Sequence, residues 1–537
     1  MKWLSRPWVL VLWASALPAL VQASDFTLRL RYREETNPNS GRYHVRYRTE
    51  HWQASQTAVI VCDMWDLHHC LNAVRRCREM APRMNQVLAY LRDAGAAVIH
   101  APSGCMEFYR EHPARLRAQQ VPKARNLPAE IGSWCHKIPA EERGPYPIDQ
   151  SDGGEDDDPF EHAAWVQILQ QMGRNPRAPW TRQSELLEID PQRDYISDRG
   201  EEIWSILEAR GIHNVILVGV HTNMCVLGRP FGLRNMSRYG KNVVLMRDMT
   251  DTMYNPNRAP YVSHFTGTDL IVEHIEKFVC PTITSDQLLG GEPFRFSADR
   301  RPTLTILCSE PEYHTERTLP PWALEELGKE FRVMVVYGED SDGNRMPGLH
   351  EALREADVVL MSVRRRALPA EDMAALRAYL DAGKPVVAIR TSSHAFSLRG
   401  ASPPEGHVTW ETWDPEILGG NYTGHYPAGP VTSIQSAPEA SGHPILEGVD
   451  VEALVGRGSL YKVRPLRPGT VPLLLGTIHV EGMAVEPEPV AWTYLTPAGG
   501  RVFYTSLGHE GDFTQPAFRL LLANAVRWAA GRIAYQH

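Results

Sequence analysis

One stretch of the sequence has the residue types and spacing to make a nucleophile: Val215-Ile-Leu-Val-Gly219-Val-His-Thr-Asn-Met-Cys225-Val. An apolar, β-branched run ends at Gly219, a polar turn follows, and Cys225 stands where the next helix would begin. A strand-to-turn-to-helix junction aims backbone N–H groups and the positive end of a helix dipole at the cysteine. That favours thiolate and can hold an oxyanion. The plainer reading is a buried cysteine in an ordinary βα unit.

The elements that must position such a residue alternate along the chain. Thr57–Cys62 reads as a buried strand ending at Asp63, Ala73–Ala94 as a helix stopped by Gly95, and Ala97–Ala101 as the next strand. Strand, helix, strand implies a parallel sheet. From about 102 to 190 the pattern weakens into a long insertion of the kind that forms binding loops or lids. Its acidic run, Asp152 to Asp158, lacks EF-hand ligand spacing and reads as a solvated loop. Alternation resumes with a helix at Glu201–Ala209 and strands at Val215 and Asn242–Met246. Upstream, Thr27–Arg33 and Arg42–Arg48 read as a hairpin with a solvated arginine face.

Residues 284–302 read as a linker. A second alternation follows, with strands at Thr303–Leu307, Arg332–Val336, Asp357–Met361 and Pro385–Ile389, a helix at Glu371–Ala382 and a closing helix at Phe518–Ala530. The expected fold class is α/β, with two three-layer domains built on mainly parallel sheets, at 24–283 and 303–537. At 537 residues the chain exceeds one typical core. A net charge of -8, with Lys and Arg scattered, gives no field for nucleic acid. Basic residues at 1–6, an apolar run to Leu20 and the small-x-small pattern Val21-Gln-Ala23 read as a signal peptide over 1–23. The expected mature protein is exported, periplasmic or secreted, with no membrane span. The eight cysteines match no small disulfide scaffold and include no CxxC pair.

Val59-Ile-Val-Cys-Asp63-Met and Gly219-Val-His-Thr-Asn-Met-Cys225-Val resemble the strand-Asp-Met and G-V-x-T-x-x-C-V signatures of the isochorismatase-like cysteine hydrolases. The resemblance spans roughly 55 to 280 and implies a Rossmann-type sheet. It also implies that Asp63 takes the thiol proton, that Cys225 attacks a carbonyl carbon, and that the Val220–His221 peptide is cis beside the oxyanion site. The family's catalytic lysine is missing, since Gln192 stands at its position. The adjacent Arg193 is the first candidate for the cation and Lys137 the second. Arginine differs from lysine in that it cannot shuttle a proton. Where nicotinamidases of the superfamily carry a metal-binding Asp-x-His, this chain has His100-Ala-Pro-Ser-Gly104, which argues against nicotinamide. His68 and His69, with Asp66 close by, could contribute to a metal or substrate site only if a third ligand arrives.

The second half resembles the ThuA-like (trehalose-utilisation) proteins, whose fold is related to class I glutamine amidotransferases. The residues that carry this are Glu310-Pro-Glu-Tyr-His314, Ser362-Val-Arg-Arg-Arg366, Gly383 to Phe396 and Gly508-His509-Glu510. Amidotransferases place a cysteine at the turn read here as Arg390-Thr-Ser-Ser-His394, and Cys308 lies elsewhere, so glutaminase chemistry is not expected. Glu310, Glu312, His314, Arg390, His394 and His509 fall at carboxyl ends of parallel strands, where open α/β sheets bind ligands. They suit a polyhydroxylated or anionic ligand, and the family name suggests carbohydrate. The alternative is ordinary loop polarity.

The leading expectation is an exported cysteine hydrolase acting on an amide-like C–N bond of a small molecule, joined to a domain that binds or processes carbohydrate. The alternative is an envelope ligand-binding protein with a degenerate hydrolase site. No cofactor or resident metal is assigned, and a homo-oligomer is compatible with the sequence.

Overall fold

The computed structural model describes residues 25–533. The expected signal peptide lies outside them. No helix among the described residues is long and apolar enough to cross a membrane.

The N-terminal domain is built on strands β1 (Asp25–Glu35), β2 (Tyr43–Gln53), β3 (Thr57–Cys62), β4 (Ala97–Ala101), β5 (Tyr195–Ile196), β6 (Asn214–Val220), β7 (Asn242–Asp251) and β8 (Thr282–Ile283). They form one eight-stranded sheet in the order β2-β1-β8-β7-β6-β3-β4-β5. From β8 to β5 the neighbours are parallel, and the β1–β2 hairpin closes one edge antiparallel. Every residue of β3 and β6 is buried, as continuous apolar runs in a sheet covered on both faces require. Helix α1 (Leu71–Ala94) covers one face. It starts at Cys70, whose sulfur accepts from the Ala73 amide, and stops at Gly95, where φ is 100°.

The C-terminal domain continues with β9 (Thr303–Ser309), β10 (Arg332–Tyr337) and β11 (Val358–Val363). Its nine-stranded sheet runs β10-β9-β11, then Val386–Ile389 and Arg501–Thr505, all parallel, before four antiparallel strands. The fold is thus α/β, with two large, mostly parallel sheets in two domains.

The hairpin departs from the sequence reading. Its arginine face is engaged: Arg31 is buried and its Nε donates to Glu276 at 2.7 Å, within the N-terminal domain. Arg29, Arg42 and Arg46 reach across to Glu351, Asp340 and Glu339 of the C-terminal domain, the last two at 3.2 and 3.1 Å. The segment 284–302 is packed rather than free. The Asp248 carboxylate accepts from the Ser285 and Phe294 amides, and the Phe296 ring stacks on Phe265 at 5.7 Å.

Candidate functional site

Parallel pairing sets Cys62, the last residue of β3, opposite Gly219 of β6. The approach is so close that a Cβ on Gly219 would lie 2.0 Å from the Cys62 carbonyl oxygen, and φ there is +106°. Only glycine fits this point, and the contact brings the turn after β3 beside the turn after β6. Asp63 leads the first turn with φ of 45°, and the second contains the cis Val220–His221 peptide and Cys225. The second turn is tied down on the β7 side. The Thr222 and Thr250 hydroxyls lie 2.7 Å apart, Thr250 also donates to the Gly219 carbonyl, and the Asn223 amide exchanges two hydrogen bonds with Met253.

The helix expected at Cys225 is reduced to one π-helical turn, Thr222–Val226, and the next helix begins only at Leu233. So short a turn has little macrodipole to offer a thiolate, and a side chain supplies the positive charge instead. Arg229 Nε donates to Asp63 Oδ2 at 3.1 Å, and Asp63 Oδ1 accepts from the Ser103 amide at 2.7 Å. Both charged groups stand close enough to Cys225 to act electrostatically on its thiol. Asp63 and Cys225, 162 residues apart in sequence, thus meet at the carboxyl edge of one sheet.

Burial sets the charge state of this trio. Desolvation raises the Asp63 carboxyl above its ordinary range, against the lowering effect of Arg229, the thiol and Ser103. Desolvation, then the Asp63 charge, pushes the Cys225 thiol up, and Arg229 offsets part of it. The resting thiol is therefore protonated, with Asp63 and the Arg229 guanidinium beside it.

Neither cation expected from the sequence reaches the sulfur. Arg193 is 52% exposed and paired with Asp190 and Asp93, and Lys137 is 52% exposed near Glu142. The segment expected to carry the lysine is held by a buried network, in which Asp194 accepts from Arg92 at 2.7 Å and meets His100 at 3.1 Å. The missed residue, Arg229, had a sequence signal: it lies four residues after Cys225, the spacing that shares a helix face.

The histidine expectations also change. Asp66 turns away to Arg174, at 3.0 Å, and to the Thr181 amide, so it supports no metal site with His68 and His69. The His68 ring instead meets His221 edge-on at 4.9 Å. Burial pushes the His221 pKa down to about 4, although Asp251 opposes the shift. The acidic run is not a solvated loop. Asp156 pairs with Arg76 at 2.7 Å and with His264 at 3.2 Å, while Asp157 accepts from the first two amides of α1.

The insertion covers the trio. Trp134 lies over the Arg229 guanidinium at 5.3 Å, and Trp180 stacks on Trp65 at 4.3 Å, two residues past Asp63. A cavity of about 390 Å³ opens beside the same turn, lined by Trp134, Tyr146, Asn223 and Met224 among others.

In the C-terminal domain the structure divides the six expected ligand residues. The buried Glu310 is structural, because its carboxylate accepts from the amides of Glu312, Tyr313 and Thr315 and shapes the loop after β9. His314 is partly exposed, with Glu316 at 3.6 Å. The remaining four gather around tyrosines. Arg390 and Glu312 both hydrogen-bond the Tyr313 hydroxyl, His509 meets that ring at 5.5 Å, and His394 stacks on Tyr422 at 4.5 Å.

Solved structures similar to parts of the chain fall into two groups. A ThuA-like protein from Bacteroides uniformis is 20% identical over 44% of this chain and 95% of its own, with a TM-score of 0.33. A cysteine hydrolase from Pseudomonas syringae pv. phaseolicola is 17% identical over 44% of this chain and 92% of its own, with a TM-score of 0.27. An isochorismatase family protein from Burkholderia thailandensis is 13% identical over 36% of this chain and 79% of its own, with a TM-score of 0.20. No curated protein matches the chain. Residues 306–529, which hold the Arg390 and His394 cluster, match the family model of ThuA, trehalose utilisation.

Proposed function

We propose that the N-terminal domain is a cysteine hydrolase that cleaves an amide-like C–N bond of a small molecule. The observation that carries this reading is the trio: a buried thiol within electrostatic reach of a buried carboxyl that is itself held by Arg229. As the thiol attacks the substrate carbonyl, its proton passes to Asp63 and a C–S bond forms. Asp63 then gives the proton to the leaving nitrogen as the C–N bond breaks. Water, deprotonated by Asp63, then attacks the thioester carbonyl, the C–S bond breaks to release the acid, and Asp63 returns the proton to the Cys225 sulfur. A guanidinium stays protonated at neutral pH and serves as no base, so Arg229 balances charge while Asp63 carries the transfers. The raised Asp63 carboxyl suits that double role, since a base with a higher pKa takes the thiol proton more readily.

The C-terminal domain, in the same reading, binds a carbohydrate, and the protein acts outside the cytoplasm after loss of residues 1–23. The alternative is a protein that binds small molecules without turnover. A panel of small amides and ureas incubated with the protein, with ammonia or amine release followed, tests the choice. Release that Cys225→Ala and Asp63→Asn both abolish supports the hydrolase. Ligand binding without release across the panel, with Cys225 unlabelled by an activated thioester, favours the alternative.

A further inference from the structure

The C-terminal cluster contains positive charge that no carboxylate answers. Arg390 is 2% exposed, at the carboxyl end of the strand Val386–Ile389. It donates to the Ser459 and Ser506 carbonyls and lies between the rings of Tyr313 and Tyr461, 4.6 and 4.5 Å away, while its Nε has no partner. Arg365, in the turn after β11, donates to the Ser397 carbonyl at 3.0 Å and likewise leaves a buried Nε unpaired. Arg399, on an exposed turn, is near enough for its charge to act on His394. Among the described residues none of these three forms an ion pair, and Glu312 is taken by Arg364 at 2.5 Å. Burying guanidinium groups without a counter-charge is costly, so such a cluster gains from an anion brought by a ligand.

The position is that of a ligand site. In the strand order, β9 lies between β10 and β11. The chain therefore leaves β9 to one side and returns on the other, which opens a crevice at the carboxyl ends. Arg365 belongs to the turn on one wall of that crevice and Tyr313 to the loop on the other. His394 adds no charge at neutral pH. Burial, followed by the fields of Arg365, Arg364, Arg399 and Arg390, pushes its pKa down to about 3. Stacked on it, the half-buried Tyr422 offers an apolar face of the kind that packs against a sugar ring.

We propose that this cluster binds the anionic group of a sugar acid or sugar phosphate. Arg365 and Arg399 contact the carboxylate or phosphate, Arg390 supplies buried charge behind them, and Tyr422 packs on the ring. The inference rests on the reading of the C-terminal domain as carbohydrate-binding.

The test is calorimetric titration of the full chain with D-glucuronate, D-glucose 6-phosphate, inorganic phosphate, D-glucose and trehalose. The expected result is saturable binding of one or both anionic sugars, at least tenfold tighter than glucose or trehalose. Arg399→Gln and Arg365→Gln should each weaken it by about tenfold or more, the usual effect of losing a hydrogen bond to a charged group. Cys225→Ala should leave it unchanged. Arg399 is exposed, so its variant keeps the test open if the others fail to fold. Glucose binding as tightly as glucuronate would overturn the anion proposal and leave carbohydrate binding standing. Binding of no sugar would remove both. Inorganic phosphate binding as tightly as glucose 6-phosphate, or an Arg399→Gln protein with unchanged affinity, would also overturn the proposal.

Discussion

The sharpest consequence of the trio is that its two charged members act on the thiol with opposite signs. Arg229→Gln removes the cation that holds the thiol down against burial and the Asp63 charge. A unit charge about 4 Å from a thiolate is worth about 4 kcal/mol at an effective dielectric near 20. The Arg229 side chain keeps 27% of its surface in contact with water, so screening reduces this to about 1.5–3 kcal/mol. That equals a rise of about 1–2 pKa units, or about 10–100-fold less thiolate at a given pH. Asp63→Asn removes the negative charge that raises the thiol and should shift reactivity the other way, while abolishing any hydrolysis. The assay is the rate of iodoacetamide labelling of Cys225 between pH 7 and 9. It is resolved by peptide mass spectrometry because all eight cysteines are free. We expect Arg229→Gln to be slower than the unsubstituted protein, Arg229→Lys to stay within a few-fold, and Asp63→Asn to be faster. Labelling rates for Arg229→Gln within twofold of the unsubstituted protein, or a shift in the same direction for both charge-removing variants, would refute the electrostatic reasoning.

Three further outcomes follow from the geometry. Gly219→Ala should lower stability by more than about 2 kcal/mol in urea unfolding, since the new methyl overlaps the Cys62 carbonyl at a backbone conformation L residues rarely adopt. Burial raises the Asp194 carboxyl, but hydrogen bonds from His100 and Arg92 outweigh it and hold its pKa at about 2. Because the folded value lies below the unfolded one, this stabilisation is complete above about pH 5. It should fade by about 2 kcal/mol as pH falls toward 2, and unfolding of Asp194→Asn across that window should show a correspondingly smaller pH dependence. Arg31→Met leaves the buried Glu276 without its closest ion-pair partner and should cost about 2–4 kcal/mol, whereas Arg46→Met, half-exposed against Glu339, should change stability by less than about 1 kcal/mol. Thermal melts of the two variants separate these magnitudes.

The positions of Asp63 and Cys225 were legible in the sequence because both are set locally. Each follows a short, wholly buried and mainly apolar strand, and two such strands in a parallel sheet deliver their following turns to one edge. The same logic located Arg390 and His394 at the ends of the second sheet. Charge partners were not legible in this way. Arg229 rather than Arg193 meets the thiol because the chain after β6 turns residue 229 back beside Cys225, its amide donating to the Cys225 carbonyl at 3.0 Å. Arg193 sits on a segment whose buried neighbour, Asp194, is already satisfied by Arg92 and His100. The hairpin arginines read as solvated because alternation identifies a face without saying what covers it, and here the cover is Glu276 on one side and the second domain on the other. Period and turn chemistry determine where a strand ends and which residue leads the turn. Which distant group neutralises a buried charge depends on the packing of elements remote in sequence, and only the tertiary structure decides it.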